Sequence, residues 1–266
     1  MLEMSGDIHS TAIVDASADL AEDVEIGPYA VIGAGVSLAR GCKVWHHATV
    51  WGNTSLGEDC EVYPYACIGT RTQDLKFKGG TPGVKIGARN VFREYVTINA
   101  ATDDGEYTEI GDDNYLLAYS HVGHDCKLGN RIIASNGVAF AGHVIVGDHA
   151  NIGGGGTAIH QFCQIGEYSF IGGCSKVEQD IPPFMLGDGH PAKIRMFNKV
   201  GLERAGFDQA RLSTVKFLFK TFYREGLNRQ QAVQLAQDSD YANTSEVKSF
   251  LAFVESSQRG LAGGSK

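Results

Sequence analysis

The residues best suited to chemistry fall close together. His121-Val122-Gly123-His124-Asp125 is followed by Gly142-His143 and then by His160-Gln161. A neutral imidazole can take a hydroxyl proton as that oxygen attacks a thioester carbonyl. A glycine can turn its backbone N–H toward the developing oxyanion, with no side chain in the way. The set suits acyl transfer, and it needs no Ser or Cys nucleophile if the acceptor hydroxyl attacks directly. The cysteines (Cys42, Cys60, Cys67, Cys126, Cys163 and Cys174) contain no C-x-x-C pair. That argues against a zinc knuckle and for free thiols.

A repeat of six residues positions these groups. Stepping by six from Ile8 gives Val14, Leu20, Ile26, Ile32, Leu38, Val44, Val50, Leu56, Val62 and Ile68. The position four after each anchor is small or β-branched, so Cys42, Cys60 and Cys126 read as small core residues. The frame resumes at Ile86 and Ile110 and slips by one after the glycine run 153–156. Such a period predicts a parallel β-helix in which three hexapeptides close one triangular coil and the coils stack. Residues 18 apart then lie one above another, about 4.8 Å apart. Gly142 should sit over His124, His143 over Asp125, and Gln161 with His160 one coil further on. The interruptions near 70–85 and 99–109 predict loops leaving the prism, where function commonly resides. The abundant glycines (34, against 6 prolines) read as corner residues.

The period ends near Pro182-Pro183. From about 192 the composition turns to Lys, Arg, Glu, Gln, Leu and Phe. Leu212, Val215, Phe219 and Phe222 have helical spacing, as do Ala232, Leu235 and Ala236, and Val247, Leu251 and Val254. The expected organisation is a prism over 1–190 and a small helical domain over 191–266 that caps its open end. Lys216, Lys220 and Arg224 share one helix face, either solvated or a dock for an acidic partner.

Other classes recede. The formal net charge is −8, which gives no general footprint for nucleic acid. No apolar run is long enough for a membrane span. Met1 to Ser10 has no apolar leader core, so a cytoplasmic location is expected. The glycine run 153–156 lacks the Gly-Lys-Ser/Thr of a phosphate loop and coincides with the frame slip. His46 and His47 are read as adjacent strand residues on opposite faces, which disfavours joint metal binding.

The strings QDLKF (73–77), SHVGHDC (120–126), FAGHV (140–144), AIHQFC (158–163) and GLERAGF (201–207), in this order, resemble the acyl-[acyl-carrier-protein]–UDP-N-acetylglucosamine O-acyltransferase family. The resemblance covers nearly the whole chain. It implies a left-handed coil, a homotrimer with sites between subunits, and the first step of lipid A synthesis. It also implies no permanently bound cofactor, since the acyl donor rides on the phosphopantetheine of acyl carrier protein. His124 would be the general base for the glucosamine 3-hydroxyl, Asp125 would orient or polarise it, and the Gly142 N–H would serve the oxyanion. Asp74, Lys76, His121, His143, His160, Gln161, Asn198 and Arg204 would line the groove for nucleotide sugar and acyl chain. Gly173 would leave room for a longer acyl chain, and Lys216, Lys220 and Arg224 would dock the carrier.

Two departures stand out. Asn99-Ala100-Ala101-Thr102 replaces the family's usual His-Arg-Gly-Thr, and Val200 stands where an acidic residue can occur. They leave open a 3-amino sugar nucleotide as acceptor. Three other readings are weighed. An N-acyltransferase of the same fold usually carries an extra N-terminal domain, whereas hexapeptides here start at Ile8. A zinc prism would draw on His121, His124 and His143. A non-catalytic prism would tolerate loss of His124.

Overall fold

The computed structural model describes residues 8–265. Most of the N-terminal stretch on which the no-leader expectation rests, 1–7, lies outside them. Each hexapeptide forms a two-residue strand and a corner. The second strand residue points inward, so Ile26, Ile32, Val44 and Val50 are buried while their strand partners are half-exposed. Parallel pairing joins each strand to the one a coil later, as in Glu25↔Lys43 and Val31↔Thr49. Three sheets result, of nine, eight and ten strands, and they are the faces of the triangular prism.

The interruptions fall where the frame breaks. Ser55 pairs with Lys85 and Lys85 with Glu109, so residues 71–82 and 100–106 are excursions from successive coils. Both leave between the nine-stranded face (Cys67–Thr70, Thr97–Asn99) and the eight-stranded face (Gly83–Ile86, Tyr107–Ile110). They therefore share one corner of the prism. The slip after 153–156 is real: Phe140 pairs with Ile159, one residue beyond the usual spacing.

The corners are not mainly glycine. Among the described residues, sixteen non-glycine positions carry positive φ, including Asp125 (60°), His143 (60°) and Phe162 (64°). Left-handed backbone is unfavourable for such residues, and here stacking between coils offsets part of that cost. Tyr65 lies 5.1 Å from Tyr95, and Tyr95 4.8 Å from Tyr119, ring to ring. His46 and His47 occupy a corner too, with His47 at φ 59°. The opposite-face expectation fails there, and their Nδ1 atoms meet at 3.0 Å.

At the far end, Lys193–Phe197 adds antiparallel to Met185–Asp188, and the helices follow. They are α1 (Lys199–Arg204), α2 (Gln209–Tyr223), α3 (Arg229–Gln237) and α4 (Ser245–Ser256). Asn198, Asp208, Asn228 and Thr244 cap their N-termini with side-chain oxygens. Helix α4 lies against the end of the eight-stranded face, where the Gln164 amide donates to the Ser256 carbonyl at 3.1 Å. One apolar core continues from the prism into Leu202, Leu218 and Phe250. Leu235, expected on the buried side of α3, is exposed, because that short helix buries only Ala232 and Ala236.

Candidate active site

His121 and Val122 end a strand of the nine-stranded face, and Gly123-His124-Asp125-Cys126 turns the corner beyond it. This is the corner from which both excursions leave, one coil or two below. Asp125 adopts left-handed backbone, which swings its carboxylate alongside the preceding imidazole. Its Oδ2 lies 2.7 Å from His124 Nδ1. Adjacency in sequence is thus compatible with a hydrogen-bonded pair.

The coil above supplies the rest. His143 N–H donates to the His124 carbonyl at 2.9 Å, and His143 Nε2 lies 3.6 Å from Asp125 Oδ2. Phe162 stacks on His143 with ring centroids 4.6 Å apart. Gly142 sits directly over His124: a Cβ built on it would fall 2.4 Å from Cε1 and Nε2. Among the described residues, the Gly142 N–H has no hydrogen-bond acceptor.

A groove of about 490 Å³ opens here. His124, Gly142, His121, Gln161 and Asp74 line it, with Ala139 and Ala158 as a floor of small residues above His121. His121 is held by Thr97, whose Oγ1 lies 2.8 Å from its Nδ1. Burial, then the neighbouring His124, pushes the His121 pKa below the usual imidazole range.

Burial pushes the Asp125 carboxyl up. Hydrogen bonds from His124 and from the Thr102 backbone N–H outweigh it, so the group sits below the usual carboxylate range. An ionised carboxylate only accepts, so His124 Nδ1 must carry the hydrogen. That leaves Nε2, on the Gly142 side, as the basic nitrogen. Cys126 is no rival nucleophile. Burial pushes its thiol up to about 12, and it donates to the Ala141 carbonyl at 3.0 Å.

Residues 180–262 match the family profile described as Udp N-acetylglucosamine O-acyltransferase, domain 2. Over 260 residues the chain is 48% identical to an acyl-[acyl-carrier-protein]–UDP-N-acetylglucosamine O-acyltransferase of Stenotrophomonas maltophilia, covering 96% of this chain and 97% of that relative. A protein of the same name from Paraburkholderia phymatum is 45% identical over 258 residues, 96% of this chain and 98% of the relative. The chain belongs to this O-acyltransferase family. Among solved structures, LpxA from Acinetobacter baumannii matches with a TM-score of 0.92 at 37% identity, covering 96% of this chain and 99% of that one. UDP-N-acetylglucosamine acyltransferase from Campylobacter jejuni matches with 0.90 at 35%, covering 97% and 100%. The fold is accordingly the left-handed parallel β-helix with a C-terminal helical part.

Within this acyltransferase chain the expected groove residues divide. Asp74, His121, His124, Gly142 and Gln161 converge, with His143 behind them on Asp125. Lys76 and His160 are exposed and do not line that groove. Asn198 and Arg204 lie elsewhere. With Arg131, His149, Tyr168 and Val200 they line a second groove, of about 560 Å³, on the ten-stranded face. Asn198 is buried there, capping α1 and donating to the Tyr168 carbonyl at 2.9 Å. Within one chain these two residues do not join His124.

Gly173 is exposed at the corner between the ten- and nine-stranded faces, across the latter from His124. A Cβ on it would meet the Gly154 carbonyl oxygen at 3.0 Å. Lys216, Lys220 and Arg224 line one shallow groove with Phe219. Arg224, at the C-cap of α2, also donates to the carbonyls of Ser265 and Arg195 at 2.9 and 3.1 Å, clamping the C-terminal segment.

The three-imidazole set weighed for zinc is not assembled. Asp74, His124 and His143 bring nitrogen and oxygen atoms within 4.8 Å of one another, and His121 stays out of that group. Among the described residues, no helix is long and apolar enough to cross a membrane.

Sequence reading missed Thr72 and Thr102, whose hydroxyls lie 3.1 Å apart beneath His124. Both stand just inside the excursions, where the period of six gives no address. It also missed Arg131 and His149 in the second groove, although they lie 18 apart and the stacking rule would have paired them.

Proposed function

We propose that this chain transfers a 3-hydroxyacyl group from acyl carrier protein to the 3-hydroxyl of UDP-N-acetylglucosamine, the opening step of lipid A synthesis. The observation that carries the reading is the His124 imidazole. It is fixed by Asp125 at 2.7 Å and leaves Nε2 under Gly142 at an open groove.

In this mechanism Nε2 takes the proton of the sugar 3-hydroxyl as the oxygen attacks the thioester carbonyl carbon. The carbonyl π electrons move onto its oxygen, and the Gly142 N–H donates to that oxyanion. Collapse restores the carbonyl, breaks the C–S bond and gives the ester. The departing thiolate takes the proton from Nε2. The Asp125 carboxylate stabilises the imidazolium in between. Asp74, His121 and Gln161 hold the sugar and acyl chain about the base, with His143 behind them on Asp125 and the exposed His160 and Lys76 reaching the substrate from outside the groove. The alanine floor and Gly173 leave the acyl chain room along the nine-stranded face.

Three chains associate, in this reading, so that the Asn198–Arg204 groove of one faces the His124 groove of its neighbour. Arg204 then meets diphosphate or phosphopantetheine with a geometry suited to phosphate oxygens. Lys216 and Lys220 receive the acidic carrier. No permanently bound cofactor takes part, and the enzyme works in the cytoplasm.

One observation favours a second acceptor. Asn99 Oδ1 is buried without a partner, while its amide donates to Thr70 Oγ1 at 2.9 Å. Asn99 lies one residue past the Ile98↔Val122 pair, beside the His124 corner. A neutral 3-amino group carries one more donor hydrogen than the hydroxyl does, and this oxygen could accept it. Transfer of radiolabelled acyl groups from carrier thioesters to UDP-N-acetylglucosamine and to its 3-amino analogue tests both readings. Incorporation into neither would refute them.

A further inference from the structure

We propose that Thr102, anchored by Thr72, is a positioning residue that fixes the rotation of the His124 ring against Asp125 and couples the excursion carrying Asp74 to the base. The inference deepens the reading of His124 as general base and rests on it.

Thr102 grips both members of the dyad. Its backbone N–H donates to Asp125 Oδ1 at 3.1 Å, and its Oγ1 lies 3.1 Å from His124 Nδ1. Asp125 Oδ2 approaches the same nitrogen at 2.7 Å. The Nδ1 hydrogen therefore faces two oxygens. With that hydrogen in place, Thr102 accepts, and its own hydroxyl hydrogen must point elsewhere. Thr72 Oγ1 is the available acceptor, 3.1 Å away. Thr72 Oγ1 also receives the Asp74 N–H at 3.1 Å. A continuous chain thus runs from the Asp74 backbone through two hydroxyls to the imidazole.

Burial makes the chain consequential. Thr72, Thr102 and His124 are 6, 7 and 6% exposed. Water has poor access to replace a missing hydroxyl, so deletion leaves a polar atom without its partner. The two threonines come from successive excursions, 71–82 and 100–106, which also meet where the Thr81 N–H donates to Asp104 Oδ1 at 2.7 Å. Their hydroxyls set the height of the Asp74 loop over the groove and the rotation of the ring beneath Gly142. The other groups facing the imidazole, Asp74, His121 and His143, touch the groove side or the coil above and do not fix Nδ1.

The test combines ¹⁵N histidine NMR of the full-length protein with steady-state kinetics. His124 is assigned by its absence in His124→Asn. Wild-type enzyme should show the Nδ1–H tautomer alone. Thr102→Val should keep the Nδ1–H tautomer, which Asp125 fixes, but shift the His124 ring ¹⁵N resonances and lower kcat about tenfold with KM within about twofold, the size expected for one buried hydrogen bond. Thr102→Ser should restore both signals. Thr72→Val, which spares the Thr102–His124 contact and removes its anchor, should shift both in the same direction and raise KM through the Asp74 loop. Wild-type His124 resonances and kcat in Thr102→Val, or no rescue by serine, would overturn the proposal. So would a Thr72→Val enzyme equal to wild type. Shifted His124 resonances with unchanged kcat uphold the positioning and instead refute His124 as the base.

Discussion

A Cβ atom on Gly142 would lie 2.4 Å from both Cε1 and Nε2 of His124. Real Cβ atoms do not come so close, so the imidazole occupies the volume that a side chain at 142 would need. The base and the nearest free N–H are thereby held one coil apart with nothing between them.

Gly142→Ala should therefore displace the imidazole from under the amide. The rate should fall by at least about 10²-fold, the order seen when an oxyanion donor is lost. The melting temperature should change little, because the corner faces the groove. An alanine enzyme within threefold of wild type would separate Gly142 from the chemistry.

Asp125 gives a pH-dependent test. Its carboxyl is held below the usual carboxylate range, so its contribution to stability is present above the unfolded value of about 3.9. That contribution is lost as the pH falls through the lower folded value. Asp125→Asn should be less stable than wild type by a constant margin near neutrality, and the margin should close below about pH 4. Turnover should also fall, since an amide can present its N–H to Nδ1 and favour the wrong tautomer. Parallel acid-unfolding curves would contradict this.

Charge reversal on α2 probes the carrier. Lys216→Glu with Lys220→Glu should raise KM for acyl carrier protein about tenfold or more, and leave KM for a short acyl-pantetheine thioester unchanged. Arg224→Ala should behave differently and lower thermal stability, because its guanidinium clamps Ser265 and Arg195. Equal effects on both donors would remove the docking role from Lys216 and Lys220.

Sharing of sites between chains has its own readout. His124→Ala and Arg204→Ala chains, each inactive alone, should regain activity when unfolded together and reassembled, with roughly a quarter of sites intact at equal mixing. No recovery in mixed assemblies would confine each site to one chain.

How legible the site was in the sequence follows from the repeat. Gly142 over His124 and His143 over Asp125 could be found by adding 18, because strand pairing fixes that stacking whatever the side chains are. The same arithmetic placed Gln161 once the frame slip was counted. Thr72 and Thr102 were hidden because excursion length is free of the period, so no sum connects 72, 102 and 124. Asn198 and Arg204 were grouped with His124 by resemblance, and nothing in a linear sequence says which face of a prism a later segment will cover. His46 and His47 misled because strand alternation was applied to a corner with left-handed backbone. Arg224 shares the groove of Lys216 and Lys220 as helical spacing implies, but its bonds to the Ser265 and Arg195 carbonyls were hidden, because no spacing rule says where the C-terminus returns.

The central claim is that the imidazole at 124 moves the proton. The most direct measurement is kcat of His124→Ala with saturating acyl carrier thioester and sugar nucleotide, beside a melting curve that confirms the fold. The account predicts a loss of about 10²–10⁴ with the melting temperature essentially retained. A folded alanine enzyme that turns over within tenfold of wild type would contradict it.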